Sequence, residues 1–182
     1  MKQKIAILLL ACMFGVVAAA QQSVSTKDTL SNAHGFIVKL GDMAPAFTMT
    51  LTDGRTVPLW SLRGKVVMLQ FTASWCGVCR KEMPFIERDI WQKYKNNPNF
   101  ALYAIDQNEP LKVAKYFILS TGITYPMSLD PDAEHFKLYA HKEAGVTRNV
   151  LIDKNGQIVF LTRLYNPQEF HALTKKIAEL LQ

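Results

Sequence analysis

The chain has 182 residues, of which 49% are hydrophobic and 20% charged, and its formal net charge at pH 7 is +6. This is the composition of an ordinary globular domain, and it excludes a fibrous or extensively disordered protein. The basic residues are scattered in pairs along the chain, as on solvated helix faces, so we expect no nucleic-acid partner.

The N-terminal segment has the three parts of a secretory signal peptide. Lys2 and Lys4 form a positively charged start, residues 5–17 are apolar, and Ala18 to Ala20 supply small residues for cleavage. The apolar run is shorter than the roughly 20 residues that a transmembrane helix needs. We therefore expect export, to a periplasm, after cleavage near Ala20.

Two alternatives to a cleaved signal peptide stay open. The sequence Leu-Leu-Ala-Cys at residues 9–12 resembles a lipobox, which would make Cys12 the lipidated first residue of an anchored lipoprotein. In the other alternative, the apolar segment is kept as an anchor. The favoured organisation is a signal peptide at 1–20, a flexible polar leader at 21–40 and one domain at 41–182.

The first half of the domain begins with a hairpin and continues with a buried strand. Residues 47–51 alternate between apolar and polar, Asp53-Gly54 predicts a tight turn, and residues 56–57 return. Residues 66–73 are almost continuously apolar, which is typical of a strand buried on both faces. A helix is predicted from Cys76 to about Tyr94, although Pro84 lies near its beginning.

The second half alternates strands and helices and predicts a three-layer sandwich. Its predicted elements are a buried strand at 100–105, a helix from Pro110 to about Ser120, a shorter helix at 130–140, a hairpin at 150–164 turning at Asn155-Gly156, and an amphipathic helix at 167–181. This order predicts an α/β fold whose mixed central sheet is flanked by helices, with an N-terminal β-hairpin.

The cysteines favour redox chemistry over structural roles. If Cys12 leaves with the signal peptide, Cys76 and Cys79 remain as one C-x-x-C. A bridge that closes so small a loop adds little stability, because disulfide stabilisation grows with loop length. A zinc site would need two more ligands, and the four histidines show no ligand-like spacing. We therefore expect no metal.

The position of Cys76 at the start of a helix suits a nucleophilic thiol. The unpaired N–H groups and the positive end of the helix dipole favour thiolate over thiol, so the pKa of Cys76 should be lowered. Cys79 lies one turn further on the same side of the helix, where its thiolate can resolve a mixed disulfide. Trp75 either covers the approach to Cys76 or packs in the core.

Several motifs around the cysteines resemble the TlpA/ResA-like family of exported thiol–disulfide oxidoreductases, which are thioredoxin-superfamily proteins related to the AhpC/TSA and Redoxin groups. The motif Trp75 to Cys79 resembles the WCxxC active site of thioredoxins. The further motifs are GDMAPAF at 41–47, SLRGK at 61–65, CRKEMP at 79–84 and LID with NG at 151–156. The resemblance covers about residues 41–182 and implies a thioredoxin-like fold.

The resemblance also implies roles for individual residues. Cys76 would be the nucleophile, Cys79 the resolving thiol and Glu82 an active-site carboxylate. The buried Asp of thioredoxins is replaced here by Gln70, which cannot titrate, so Glu82 is the nearest acid able to take the proton of Cys79. The alternative is a solvated Glu that merely favours the helix dipole.

The chain departs from the family at two places. Val78 stands where the dipeptide between the cysteines often ends in proline, which affects the redox potential. Thr147 stands where the family has a cis-proline, and a cis bond there would cost about 2.5–4 kcal/mol, so we expect a trans bond. We expect Trp75, Gly77, Val78, Val146 and Thr147 to contact the substrate. The adjacent Arg148 would add a positive charge that favours the thiolate.

The primary hypothesis is an exported thiol–disulfide oxidoreductase that cycles between a Cys76–Cys79 disulfide and the dithiol without a further cofactor. The family resemblance implies a reductant of periplasmic protein disulfides that is recharged by a membrane thiol relay and has apocytochrome c as one possible client. We also expect a monomer. One alternative is a thiol peroxidase of the AhpC/TSA type, although its Pro-x-x-x-Thr/Ser-x-x-Cys pocket motif is missing. The other is a non-catalytic thioredoxin-fold binding module.

Overall fold

The computed structural model describes residues 34–182, so the predicted signal peptide, its cleavage site, Cys12 and most of the leader lie outside the described residues. Within the described part, no helix is both long and apolar enough to cross a bilayer. Residues 36–38, which the sequence places in the leader, belong to the folded domain, because Phe36 and Val38 are buried. An isolated antiparallel bridge between Phe36 and Ala140 also joins this segment to the rest of the domain.

A mixed sheet of seven strands forms the centre of the described domain. The strands are β1 (Thr48–Leu51), β2 (Thr56–Pro58), β3 (Val66–Thr72), β4 (Phe100–Gln107), β5 (Met127–Asp130), β6 (Arg148–Ile152) and β7 (Ile158–Arg163). Their order across the sheet is β2-β1-β5-β4-β3-β6-β7. Strands β3, β4 and β5 are parallel to one another, and the remaining neighbours are antiparallel. The predicted mixed sheet and N-terminal hairpin are confirmed.

Helices follow the strands as the alternating pattern predicts. They are α1 (Gly77–Ile86), α2 (Leu111–Thr121), α3 (Glu134–Lys137) and α4 (Pro167–Leu180), and α1 continues through a π-helical segment (Glu87–Trp91) into a last α-helical turn (Gln92–Tyr94). Local sequence explains the boundaries. Asn166 accepts the N–H groups of Gln168 and Glu169 at the start of α4. Gly122, with a φ of 70°, ends α2 in the left-handed conformation.

The two faces of the sheet bury separate apolar layers. Helices α1, α2 and α4 cover one face, where Met83, Phe117 and Ile177 meet the side chains of Val66 and Met68. On the other face, α3 and the segment before β1 pack on the alternate residues of β3. Every residue of β3 is buried, as its continuous apolar run predicts. The arrangement confirms the three-layer thioredoxin-like sandwich.

The region around residue 130 differs from the prediction of one helix over 130–140. Residues 127–130 form β5, which joins the N-terminal hairpin to β4, and α3 spans only Glu134–Lys137. The carboxylate of Asp130 accepts the N–H groups of His135 and Phe136, which ends the strand and starts the helical turn. Strand β5 has only four residues and ends at Asp130, which accepts hydrogen bonds from the following helical turn. So short a strand gives no alternation that could be recognised in the sequence.

The carboxyl ends of the parallel strands meet at the edge of the sheet where α1 begins. Thr72, the last residue of β3, is paired with Asp106 of β4. Strand β4 runs two residues beyond its predicted end at Ile105, so polar residues of β4 reach this edge. This edge of the sheet therefore lies next to the C-x-x-C at the start of α1.

Candidate active site

The two cysteines occupy the first turn of α1, as predicted. Cys76 is the N-cap residue, and its Sγ accepts the N–H of Cys79 at 3.2 Å. The two residues form a disulfide with a Cα–Cα distance of 5.3 Å. Cys79 is completely buried, whereas Cys76 keeps 9% of its surface exposed. The arrangement gives an incoming thiolate access to Cys76 and leaves Cys79 behind it.

Thr147 contacts both sulfur atoms. Its Oγ1 lies 3.0 Å from Cys76 Sγ and 3.2 Å from Cys79 Sγ. The hydroxyl is the donor, because disulfide sulfurs carry no hydrogen. No peptide bond within residues 34–182 is cis, so the bond between Val146 and Thr147 is trans, as expected from the missing proline.

Glu82 lies buried under α1, and only 2% of its surface is exposed. Its Oε1 accepts a 2.8 Å hydrogen bond from the Asn149 side-chain amide on β6. Burial raises the pKa of Glu82 to about 7, against smaller opposing effects of the Asn149 and Gln70 amides. The alternative of a solvated carboxylate is therefore wrong, while the role of Glu82 as a proton acceptor stays a prediction.

Gln70 takes the place of a titrating group beside Glu82. Its Oε1 accepts a 2.7 Å hydrogen bond from the Tyr125 hydroxyl. Gln70 Nε2 and Glu82 Oε2 are both buried, and neither has a hydrogen-bond partner within residues 34–182. The side chains that donate hydrogen bonds to Glu82 and Gln70, those of Asn149 and Tyr125, are both uncharged.

A carboxylate pair that the sequence analysis missed lies on the other side of the active-site turn. Glu109 accepts the N–H of Ser74 at 2.6 Å and the Ser74 hydroxyl at 2.5 Å. Arg80 of α1 donates to Ser74 O at 2.7 Å. The turn that leads to Cys76 is therefore held from both sides, by Glu109 in the loop after β4 and by Arg80 of α1.

Asp106 stands beside Glu109 without a hydrogen-bond partner for either carboxyl oxygen in the described part of the chain. Burial and, to a smaller extent, the adjacent Glu109 carboxyl together raise the pKa of Asp106 to about 8. The signal that could have found this pair is an acidic residue directly after the apolar residues of a buried parallel strand.

The residues predicted to contact substrate lie at two depths. Trp75 is 64% exposed and Val78 is 37% exposed, and Gly77 between the cysteines is exposed too. Val146 and Thr147 are buried, each with 3% of its surface exposed. The exposure of Trp75 removes the alternative of core packing. An apolar rim therefore surrounds Cys76, with the Val146–Thr147 loop beneath it.

Arg148 does not extend into solvent beside the cysteines. Its side chain is completely buried, its Nε donates to Gly145 O at 3.0 Å, and its guanidinium lies 4.4 Å from the centre of the Phe36 ring. Burial and, to a smaller extent, the positive charge of Arg163 together lower the pKa of Arg148 to about 10. The group is still a cation at neutral pH, and its effect on the thiolate stays a prediction.

The site holds the two sulfurs as its redox-active group. Within residues 34–182, no three side chains of His, Cys, Asp or Glu are grouped closely enough to hold a metal ion. The apolar rim, the helix start, the Thr147 hydroxyl and the buried Glu82 together suit thiol–disulfide exchange, in which a surface sulfur reacts and a buried one resolves.

Comparisons with known sequences agree with this chemistry. Residues 39–179 match the Redoxin family. The thiol-disulfide oxidoreductase ResA of Bacillus thuringiensis (strain Al Hakam) is 31% identical over 122 residues, which are 67% of this chain and 68% of that protein. ResA of Geobacillus kaustophilus is 31% identical over 121 residues, which are 66% of this chain and 67% of the relative.

Two solved structures share the fold over most of the chain. A candidate protein disulfide isomerase from Bacteroides thetaiotaomicron has 65% sequence identity and a TM-score of 0.79, and the match covers 81% of this chain and 92% of that one. A candidate thiol:disulfide interchange protein DsbE from Chlorobium tepidum has 29% identity and a TM-score of 0.69, over 79% of this chain and 98% of that one. The chain therefore belongs to the Redoxin family, as a ResA-like thiol–disulfide oxidoreductase of the thioredoxin superfamily.

Proposed function

We propose that this oxidoreductase works outside the cytoplasm as a reductant of protein disulfides, with the Cys76–Cys79 pair as its only redox group. The observation that carries the proposal is the asymmetry of the pair. Cys76 is the N-cap of α1 and reaches the surface, whereas Cys79 is completely buried one turn further on. A substrate disulfide can meet Cys76 but not Cys79.

The reaction proceeds in two exchanges. The Cys76 thiolate attacks one sulfur of the substrate disulfide, forms a mixed disulfide and releases the other substrate sulfur as a thiolate. Cys79 loses its proton and attacks Cys76 Sγ, which forms the Cys76–Cys79 disulfide and releases the second substrate thiolate. Two electrons pass from the protein dithiol to the substrate, and the two thiolates take up protons.

Glu82 is the group proposed to take the proton of Cys79. It lies one helical turn from Cys79, it is buried, and its pKa of about 7 is closer to that of a thiol than the usual value of a carboxyl group. Its Oε2, which has no hydrogen-bond partner within residues 34–182, can accept a proton without first losing a hydrogen bond. The proton would pass from Cys79 Sγ to the Glu82 carboxylate directly or through one water molecule.

The N-terminal sequence supports a location outside the cytoplasm. The positive start, apolar run and small residues before residue 21 favour cleavage near Ala20, and the lipidation of Cys12 is the alternative. We further propose a monomer that is recharged by a thiol donor in the membrane. Fractionation of the expressing cells, with the mass of the exported protein, separates the outcomes: a chain that begins near Gln21 supports cleavage, and a lipid-modified Cys12 contradicts it.

Reduction of insulin tests the activity itself. The mature protein with dithiothreitol should precipitate the insulin B chain faster than dithiothreitol alone, and Cys76→Ser should abolish the acceleration. Cys79→Ser should also fail to turn over, because the mixed disulfide cannot be resolved. A wild-type rate equal to that of dithiothreitol alone would overturn the proposal.

Isomerisation is a second candidate, favoured by the 65% identity to the Bacteroides thetaiotaomicron protein described as a candidate disulfide isomerase. The same Cys76 thiolate would attack a wrong disulfide and leave once the client has rearranged. Reactivation of scrambled ribonuclease distinguishes isomerisation from reduction. An isomerase keeps part of its activity when Cys76 is the only active-site cysteine. Recovery of ribonuclease activity by Cys79→Ser would favour isomerisation over reduction.

A further inference from the structure

The Val146–Thr147 loop brings a hydroxyl group within hydrogen-bond distance of both reacting sulfurs. Thr147 Oγ1 is 3.0 Å from Cys76 Sγ and 3.2 Å from Cys79 Sγ. A proline at this position, as in the related family, could offer no such donor. We propose that Thr147 is a catalytic residue, whose hydroxyl donates to whichever sulfur carries the negative charge. This role rests on the proposed thiol–disulfide exchange.

The two sulfurs depend on this hydroxyl to different degrees. Cys76 Sγ also accepts the N–H of Cys79, so its thiolate keeps a donor without Thr147. For Cys79 Sγ, Thr147 is the sole hydrogen-bond partner within residues 34–182. A thiolate on a completely buried sulfur needs a donor most, because burial disfavours the charged form.

The loop holds the hydroxyl in place before the reaction begins. The Leu164 N–H donates to Thr147 O at 3.1 Å, and Arg148 Nε closes the loop on Gly145 O at 3.0 Å. The Arg148 guanidinium is itself packed against Phe36. A donor fixed in this way costs no reorganisation when charge develops on the sulfur, which is the condition for electrostatic catalysis.

The hydroxyl acts in both directions of the cycle. When a donor thiolate attacks Cys76 Sγ, the Cys76–Cys79 bond breaks, its electron pair goes to Cys79, and a new Cys76–donor disulfide forms. Thr147 then donates to the leaving Cys79 thiolate. After the donor's second thiolate has released Cys76, the hydroxyl can turn to Cys76 Sγ, 3.0 Å away, and stabilise the nucleophile for the next substrate.

Removal of the hydroxyl tests the proposal against the matched variant Thr147→Ser. Thr147→Val should slow the reduction of the protein disulfide by dithiothreitol about tenfold, because a hydrogen bond to a charged group is lost from the transition state. The midpoint of iodoacetamide alkylation of the reduced protein should move up by about one pH unit. Thr147→Ser should stay within about twofold of the wild type.

Other charged groups near the dithiol bear on the same pH profile and stay unchanged in this series. They are Arg80 and Glu82 on α1, Asp106 on β4 with Glu109 after it, and Arg148 on β6. Thr56→Val on the edge strand β2 is the control for loss of a hydroxyl elsewhere, and it should leave both measurements unchanged. Thermal unfolding of the oxidised protein shows whether Thr147→Val disturbs folding. If it does, Thr147→Ala removes the hydroxyl without adding a second methyl group and provides the same test.

The outcomes separate this role from the proposed function. If wild-type protein reduces insulin but Thr147→Val and Thr147→Ala match it in both measurements, the catalytic role of Thr147 is wrong and the proposed function stands. If serine is as impaired as valine, the residue acts through packing, which also overturns the proposal. If wild-type protein does not reduce insulin, the proposed function fails, whereas the dithiothreitol rates still decide the role of the hydroxyl.

Discussion

The side-chain amide of Asn149 donates a 2.8 Å hydrogen bond to Glu82 Oε1 and so connects β6 to α1 beneath the dithiol. The same amide nitrogen lies 2.9 Å from Thr162 Oγ1 on β7, so Asn149 is fixed from both sides. Glu82 is consequently held in one orientation, with Oε2 left without a partner among the described residues. A carboxyl group satisfied on one oxygen and buried on the other is poised between its two protonation states near neutral pH.

Replacement of Glu82 by glutamine should make the dithiol more acidic. The ionised carboxylate repels a nearby thiolate, since like charges in a buried site disfavour each other. Without that charge, the midpoint of iodoacetamide alkylation should fall by about one pH unit and the curve should change shape between about pH 6 and 9. Glu179→Gln, on the exposed end of α4, is the control and should follow the wild type. Superimposable curves for all three proteins would mean that another group or water takes the proton.

The burial of Glu82 should also make the oxidised protein less stable as the pH rises. The pKa of Glu82 is raised from 4.5 to about 7 in the folded protein, so folding favours the protonated form. The corresponding stabilisation is present below about pH 4.5 and is lost as the pH rises through about 7, by roughly 2–3 kcal/mol between pH 5 and 8.

Urea unfolding of the oxidised wild type and Glu82→Gln at pH 5 and pH 8 measures this effect. The disulfide keeps the cysteines from titrating, and other groups cancel in the comparison. The glutamine variant should lose less stability than the wild type over this range. An equal loss in both proteins would show that Glu82 does not hold its proton more tightly in the folded state.

The sequence predicted the parts of the site that depend on local pattern. The C-x-x-C follows a continuously apolar strand, and this pattern predicted that Cys76 starts a helix. The alternation of strands and helices in the later segments predicted the three-layer sandwich. Residues brought together by the sheet register were not predicted. Asn149 stands opposite Gln70 only because β6 pairs with β3, and that pairing has no local signal.

The same limit applies to the loop at Thr147. The missing proline predicted a trans bond from local energetics, and the structure has one. The distance from its hydroxyl to the sulfurs depends on how β6 and α1 pack, which a motif comparison with a proline-containing family cannot supply. The acidic Asp106 and Glu109 were missed for a similar reason, because their importance follows from β3 and β4 ending at one edge.

The asymmetry of the cysteines predicts which variant traps a client. Cys79→Ser should accumulate mixed disulfides through Cys76, because the more accessible sulfur still attacks and nothing resolves the product. Cys76→Ser should trap none, since Cys79 is completely buried. Non-reducing electrophoresis of the reduced variants with a denatured client that keeps its disulfides, followed by mass spectrometry, measures both. Trapping by Cys76→Ser alone would mean that α1 opens and that the order of attack is reversed.

Asp106 should titrate near pH 8 as long as Glu109 keeps its charge. The pKa of Asp106 is raised to about 8 first by burial and then by the adjacent Glu109 carboxyl, which opposes a second negative charge. Glu109→Gln removes that charge but keeps an oxygen for Ser74, so the pKa of Asp106 should fall, while burial, the larger cause, keeps it above its ordinary value. The NMR chemical shift of the Asp106 carboxyl carbon, measured as a function of pH in the oxidised protein, gives the pKa of Asp106 directly.

Two variants distinguish the effect of the Glu109 charge on the Asp106 pKa from the effect of the hydrogen bonds that hold the turn before Cys76. Glu109→Gln removes the charge, whereas Ser74→Ala removes one of the hydrogen bonds. Ser74→Ala removes the hydroxyl that donates to Glu109 Oε1 but leaves the N–H that donates to Oε2, so the carboxylate keeps its charge. It should therefore leave the Asp106 midpoint high, while it loosens the turn before Cys76 and speeds amide hydrogen exchange there. An Asp106 midpoint that stays near pH 8 in Glu109→Gln would show that burial alone sets it. An Asp106 pKa near 4 in the wild type would show that water reaches this carboxyl group and that Asp106 and Glu109 are not shielded from solvent.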